Sequence, residues 1–297
     1  MKVIVFGGSG FIGSHVSDVL SAAGNEVVIY DIKPSPYIKK GQLMVIGDIL
    51  DQKKVEKTVQ GADVVYNFAG VADMELASQA PLETLKYNIL GNSIILEAAK
   101  KAKVKRFIFA SSLYVYSKSG SFYRSTKQAC ELIIENYYEI FGLPYTILRY
   151  GSLYGPRSDE KNFMHKILKQ ALHDKKIVRD GDGEEIREYI HVCDAAKASV
   201  DILSEEFKNE CVIITGTQQM KVKELLLMIK EMLDNKIEIE YRPSTSSYHY
   251  ELTPYTFAPK LAKRLINNTY FDLGQGVLQL LNILSDKKTE AKSLLMR

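Results

Sequence analysis

The chain has 297 residues, 46% of them hydrophobic and 25% charged, the usage of a globular protein with core enough for one large domain or two modest ones. Its formal charge of +3, with the lysines scattered, implies no nucleic-acid partner. Cys130, Cys193 and Cys211, and His15, His165, His173, His191 and His249, have no metal-ligand spacing, so no metal is expected.

No apolar run approaches the ~20 residues that span a bilayer, so no membrane association is expected. The N-terminus enters a strand directly, without room for a cleaved signal, and the odd cysteine count suits a reducing compartment. The expected setting is cytoplasmic.

The first element, Lys2-Val3-Ile4-Val5-Phe6, is an apolar strand that runs into Gly7-Gly8-Ser9-Gly10-Phe11-Ile12-Gly13. Helical spacing follows from His15 to Ala23, Gly24-Asn25 stops it, and Glu26 to Tyr30 reads as a second strand ending at Asp31. Glycines at 7, 10 and 13 in this setting point to a dinucleotide. They let the backbone turn tightly, approach a pyrophosphate and pack helix on strand, while the helix N-terminus offers N–H groups and a positive dipole end. Asp31 would accept hydrogen bonds from an adenosine ribose and repel a 2′-phosphate, which selects NAD. Its other reading is a turn carboxylate ahead of Pro34-Ser35-Pro36, and Lys33, Lys39 and Lys40 weaken the case against NADP.

Leu43–Ile46 is the next strand, followed by Gly47-Asp48-Ile49 and a helix over Gln52–Val59. Asp63–Phe68 forms a strand ending in Ala69-Gly70, a long helix covers Leu82–Lys101, and Arg106–Ser111 and Tyr145–Tyr150 are further strands. This alternation predicts an α/β fold, a doubly wound parallel (Rossmann) sheet, with a smaller C-terminal α/β lobe. The expected division is a dinucleotide-binding domain over 1–150 and, over 151–297, mostly a substrate lobe with some elements returning to the sheet. Ligands gather at the carboxyl ends of such strands, where the glycine turn, Asp31, Asp48, Ala69-Gly70, Ser111-Ser112 and Tyr150 fall. Beyond Tyr150 the strands shorten and turns such as Arg179-Asp180-Gly181-Asp182-Gly183 intervene; the lysine-rich end from Asp286 reads as a helical or frayed tail.

Between the last two of these strands stands Tyr123-Arg124-Ser125-Thr126-Lys127. Cys130, Ile133, Ile134, Tyr137, Tyr138 and Phe141 continue it as a helical stripe, so the phenol and the ammonium share a helix face. An ammonium beside a phenol favours the phenolate, making tyrosine an acid/base far below its free pKa of ~10. Such a pair also arises by chance, and its meaning depends on the residues around it.

Four segments together carry a family resemblance: Gly7-Gly8-Ser9-Gly10-Phe11-Ile12-Gly13, Tyr123-x-x-x-Lys127, Leu153-Tyr154-Gly155-Pro156-Arg157, and Arg187-Glu188-Tyr189-Ile190-His191-Val192-Cys193-Asp194. From residue 1 to roughly 285 the chain resembles the extended short-chain dehydrogenase/reductases, the NAD-dependent epimerases and dehydratases of nucleotide sugars. The resemblance implies that Tyr123 takes the proton of a sugar hydroxyl as hydride moves to NAD, that Lys127 holds the nicotinamide ribose and that Ser112 steadies the reacting oxygen. It places Gly7, Gly10, Phe11, Ile12, Gly13, Asp31, Asp48, Ile49, Ala69 and Tyr150 against the cofactor, with Asn88 buttressing the strands. In the second lobe it implies Asn162 and Arg187 at the diphosphate, Val178 at the base and Arg242 as a second arginine. His191 and Asp194 read as structural, the latter as N-cap of a helix from Ala195 to Leu203. A homodimer through helices 82–101 and 123–141 is also implied, with Ile94, Ile95, Ile134, Tyr137 and Tyr138 as candidate surface.

Three departures from the family pattern matter. Dehydratases carry Asp-Glu, and decarboxylases a Glu, after the serine; here Leu113 and Tyr114 stand there, which argues against both chemistries. Ser152 replaces a usual asparagine. Only Ser117 to Phe122 separate Tyr116 from Tyr123, where relatives have a longer loop walling the sugar pocket; that side is expected to be open, or filled by residues such as Tyr248, Tyr250 and Tyr255. The reading is an NAD-dependent nucleotide-sugar 4-epimerase, the alternatives being a ketoreductase or dehydrogenase and a non-catalytic NAD-binding regulator.

Overall fold

The computed structural model describes residues 1–243, 263–264 and 271–294. Its first elements are β1 (Lys2–Phe6), α1 (Phe11–Ala22), β2 (Glu26–Asp31), β3 (Leu43–Ile46), α2 (Gln52–Val59), β4 (Val64–Asn67), α3 (Met74–Gln79) and α4 (Pro81–Leu85). A π turn (Lys86–Leu90) leads into α5 (Gly91–Ala102) and β5 (Arg106–Ser112), and a 3-10 turn (Leu113–Tyr116) precedes α6 (Ser121–Phe141) and β6 (Tyr145–Tyr150). Then come β7 (Ser152–Tyr154), α7 (Phe163–His173), β8 (Lys176–Asp180), β9 (Ile186–His191), α8 (Val192–Asp201), β10 (Glu210–Ile214) and β11 (Gln219–Lys221). The last are α9 (Val222–Met232), β12 (Glu238–Arg242), β13 (Lys263–Arg264) and α10 (Leu273–Leu294).

The described residues divide into two compact units, one of 1–150, 195–214 and 263–264, the other of 151–194, 215–243 and 271–294. The first holds a sheet of order β13-β10-β6-β5-β4-β1-β2-β3, parallel at every pairing. Its strands are apolar on both sides because both faces are covered. Ile4, Phe6, Val28, Tyr30, Val65, Phe107, Phe109 and Ile147 share one core with Val55 of α2, Ile95 and Leu96 of α5, and Cys130 and Ile134 of α6. The alternate residues Val3, Val5, Val27 and Ile29 are buried as well. The strand order reverses between β1 and β4, so the crevice for a ligand lies beyond their carboxyl ends, at Gly7 and Ala69.

In the second unit β7 pairs with β9 in parallel and β9 with β11 antiparallel, while β8 and β12 form a separate parallel pair. Met164, Ile167 and Leu168 of α7, Leu225, Leu226 and Ile229 of α9 and Val277, Leu280 and Leu281 of α10 make its core.

Some boundaries differ from the sequence reading. Helix α1 opens at Phe11, directly on the glycine turn, and the helix expected over 82–101 is broken by a π turn around Asn88. Helix α8 opens at Val192, so Asp194 sits in its first turn instead of capping it, and its Oδ2 accepts the Phe271 amide at 2.8 Å. Among the described residues no helix is long and apolar enough to cross a membrane.

Candidate active site

The glycine turn is shaped by contacts that exclude side chains. Gly7 has φ +73, and a Cβ there would lie 2.7 Å from the Ala69 nitrogen and the Phe68 carbonyl carbon. A Cβ on Gly13 would lie 2.3 Å from the Gly7 oxygen, so α1 packs this closely on the turn only because residue 13 is glycine. Among the described residues no side chain caps Gly10, and the first turn of α1 carries no acid. Its amides and dipole end are thus available to an anion, a cradle that fits a dinucleotide pyrophosphate.

At the rim, Asp31 Oδ2 accepts the Ser9 amide at 3.0 Å and Oδ1 the Lys33 amide at 3.2 Å. Asp48 Oδ1 accepts the Leu50 amide at 2.9 Å, and its carbonyl accepts the Tyr30 hydroxyl at 2.7 Å. Burial, assisted by Asp51 and Asp48, pushes that phenol up to about 12, so it stays a donor. Ile49 is buried with its Cδ1 against Gly91. Phe11 and Ile12 are half-buried in the first turn of α1, and the Ala69 amide donates to Asn67 Oδ1 at 3.0 Å.

The β5–α6 pair assembles the three residues proposed for chemistry. Ser112 ends β5 beside Tyr150 of β6, and its Oγ accepts the Tyr114 amide at 3.3 Å. Tyr123 lies in the first turn of α6 and Lys127 one turn on. Lys127 Nζ donates to the Ala110 carbonyl at 2.7 Å, lying 4.7 Å from the Phe109 ring centre and 5.8 Å from that of Tyr123. With the residue only 8% exposed, burial lowers the lysine pKa to about 8, against the opposing pull of Cys130 and Glu131. Tyr150 is buried with its hydroxyl 2.6 Å from Ser199 Oγ.

Sequence reasoning missed what stands behind these residues. Glu131, one turn beyond Lys127, pairs with Arg149 through Nη2–Oε2 at 2.7 Å and Nε–Oε1 at 3.0 Å, with side chains 1% and 0% exposed. The Ser111 hydroxyl donates to Glu131 Oε1 at 2.5 Å, giving this neighbour of Ser112 a definite role, and Arg149 donates to the Tyr116 hydroxyl. Burial opposes the Arg149 charge, yet the hydrogen bonds it donates to Glu131 win and its pKa is raised. A charge inside the apolar strand Tyr145–Tyr150, and an acid four residues after the lysine, were the available signals.

A second clamp is built on the π turn. Asn88 Oδ1 accepts the Val71 amide at 2.6 Å, and its Nδ2 donates to the Val71 carbonyl and to Thr126 Oγ1, both at 3.0 Å. It therefore ties the loop after β4 to the helix that carries Tyr123. Gly70, at φ +140, is required there, since a Cβ would meet Asn88 Oδ1 at 2.6 Å.

The short connection before Tyr123 is a latched turn. Arg124 Nη1 donates to the Ser117 carbonyl at 3.1 Å and the Lys118 carbonyl at 2.5 Å, and Ser78 Oγ of α3 donates to Ser121 Oγ at 2.8 Å. Tyr248, Tyr250 and Tyr255 lie outside the described residues.

In the second unit Arg187 is buried on β9, with Nη1 donating to the Ile186 carbonyl at 3.1 Å. Asn162 caps α7, its Oδ1 accepting the His165 amide at 3.2 Å, and its Nδ2 donates to the Leu153 carbonyl of β7 at 2.8 Å. That bond sets Asn162 against the sheet that carries Arg187, because Leu153 pairs with Ile190. Val178 and Arg242 lie on the other pair of strands, opposite Glu240 and Asp180. Arg242 is exposed and held by Glu240 at 2.6 Å, a surface ion pair.

The chain is similar to known proteins. A model of the NAD dependent epimerase/dehydratase family matches residues 3–214. The chain is 28% identical over 273 residues to a UDP-N-acetyl-alpha-D-glucosaminuronate decarboxylase of Bacillus cytotoxicus, covering 83% of this chain and 85% of the relative. It is 27% identical over 260 residues to the dTDP-D-glucose 4,6-dehydratase of Mus musculus, covering 77% and 73%. A solved UDP-glucose 4-epimerase of Thermotoga maritima with UDP-glucose superimposes with a TM-score of 0.85 at 25% identity, covering 97% of this chain and 99% of that one. With a glycine cradle for a dinucleotide, a serine–tyrosine–lysine set at the end of β5 and this breadth of match, the chain belongs to the NAD dependent epimerase/dehydratase family, as an enzyme of the extended short-chain dehydrogenase/reductase type with NAD as its cofactor.

Proposed function

We infer that the protein is a nucleotide-sugar 4-epimerase. The observation that carries this reading is the β5–α6 geometry, in which Lys127 bridges from the Ala110 carbonyl toward the ring of Tyr123, with Ser112 at the end of the same strand as Ala110. NAD, when bound, supplies the acceptor and donor of a hydride. The chain's own residues handle the proton: Tyr123 takes it from the C4 hydroxyl and returns it, Ser112 hydrogen-bonds the reacting oxygen, and the Lys127 ammonium stabilises negative charge on the phenol oxygen. Gly7, Gly10, Phe11, Ile12, Gly13, Asp31, Asp48, Ile49, Ala69 and Tyr150 are assigned to the cofactor, and Asn162, Val178, Arg187 and Arg242 to the nucleotide diphosphate sugar.

The curated relatives include a decarboxylase and a dehydratase, so the family alone leaves the reaction open. Leu113 and Tyr114 favour epimerisation, because neither side chain supplies the acid or base of an elimination, and Leu113 is buried in the core. Soluble cytoplasmic work as a homodimer belongs to the same reading. Of its candidate interface residues, Ile95 and Ile134 are buried in their own core, Ile94 and Tyr137 are half-buried against it, and Tyr138 is exposed.

A panel of UDP-, dTDP-, GDP- and CDP-hexoses followed by NMR tests the reading. Inversion at C4 in one of them supports it. Loss of the C6 substituent, or reduction of a 4-keto sugar only with added NADH by protein that purifies without nucleotide, counts against it.

A further inference from the structure

Tyr123 stands on ground that the helix itself does not secure. It is the third residue of α6, and among the described residues the cap position Gly120, at φ +107, makes no side-chain hydrogen bond to the first turn. Helix ends fray, and a proton-transferring phenol tolerates little displacement. The Arg124 latch fixes the backbone of the preceding turn, but it does not fix the ring of Tyr123.

The ring of Tyr114 does touch it. The two ring centres lie 6.2 Å apart with planes at 76°, the edge-to-face arrangement that aromatic quadrupoles favour. Tyr114 is in turn held from three sides. Its amide donates to Ser112 Oγ at 3.3 Å and its carbonyl accepts the Ser117 amide at 2.9 Å. Its Cδ1 lies 2.7 Å from where a Cβ on Gly120 would be, so only glycine leaves room for the ring under the turn. One residue thereby contacts the serine through its main chain, and the turn and the tyrosine of the candidate site through its ring.

We propose that Tyr114 is a positioning residue for Tyr123, its ring serving as an edge-on stop for the phenol. The proposal rests on reading Tyr123 as the proton-transfer group. It assigns a role to a side chain at a position where elimination enzymes of the family carry an acid, and it places that role on the aromatic ring. Gly120 and the short turn belong to the same device, since a longer or bulkier connection would not seat on the ring.

The test compares Tyr114→Phe with Tyr114→Leu, and with Tyr114→Met should the leucine variant not fold, in the full chain with NAD bound. Two readouts are taken: steady-state kcat and KM on whichever hexose of the panel turns over, and the ¹³Cζ resonance of Tyr123 through a pH titration without substrate. Tyr114→Phe should keep kcat within about 3-fold and leave the Tyr123 titration in place. Tyr114→Leu should lower kcat about 10- to 100-fold with KM changed much less, the size expected for a misplaced reacting group, and should shift and broaden the Tyr123 resonance. An unchanged Tyr123 resonance in the leucine variant, or a phenylalanine variant as defective as leucine, overturns the proposal. A Tyr123→Phe variant with full turnover overturns the reading of the site instead, and the resonance still decides whether Tyr114 holds that ring.

Discussion

The two units place their candidate residues in opposite ways. In the first, each candidate side chain leans on a packed scaffold: Lys127 on the Ala110 carbonyl, Ser112 beside a Ser111 that is bound to Glu131, and the Tyr123 helix on Asn88 through Thr126. In the second, Asn162 and Arg187 are engaged with the ends of a small sheet, and Arg242 lies on the surface with Glu240. The difference teaches where geometry is demanded. Proton transfer requires reacting atoms held to within about an ångström, whereas a diphosphate is recognised by cations that can rearrange around it.

Tyr123→Phe should break the first side of this contrast most severely. Loss of the proton carrier is expected to lower kcat about 10²- to 10⁴-fold while the folded state and NAD binding persist, as read by turnover and by NAD titration. Next in size, Glu131→Gln or Arg149→Met should destabilise the protein by about 3–5 kcal/mol in urea unfolding, because each strands a fully buried charge. Gly13→Ala should follow at about 1–3 kcal/mol, since its Cβ would press on the Gly7 oxygen, and NAD affinity should fall with it.

Lys127 sharpens the comparison through pH. Its folded pKa of about 8 lies below the unfolded value of about 10.4, so the unfolded chain binds more protons between the two. The cost of burying the ammonium is therefore full below pH 8 and is relieved as pH rises toward 10.4. Wild-type stability without NAD should gain on that of Lys127→Met across this window, measured by urea unfolding. Smallest of all, Arg242→Ala should leave the unfolding midpoint unmoved. Stability loss there as large as for Arg149→Met would erase the contrast between the units.

Legibility in the sequence followed the same division. The parallel sheet and the glycine turn were readable because both leave local marks: apolar strands covered on two faces, and glycines where a Cβ would strike backbone 2.3–2.7 Å away. Tyr123 and Lys127 were readable from helical spacing. The Glu131–Arg149 pair was not, because a buried charge and its partner 18 residues away give no periodic signal. The π turn at Asn88 escaped for a similar reason, being one extra residue in an otherwise helical pattern. The short connection was noticed as a deficit. Its physical meaning, an arginine latch over an aromatic ring, depends on a fold contact that spacing cannot supply.

The central claim, that a hydride leaves and returns to C4 while Tyr123 carries the proton, is tested most directly with a nucleotide hexose deuterated at C4. The expected result is an inverted product that retains the deuterium at C4, formed by the wild type and not by Tyr123→Phe. Loss of the label to solvent, or a product altered at C6 with C4 unchanged, would contradict it.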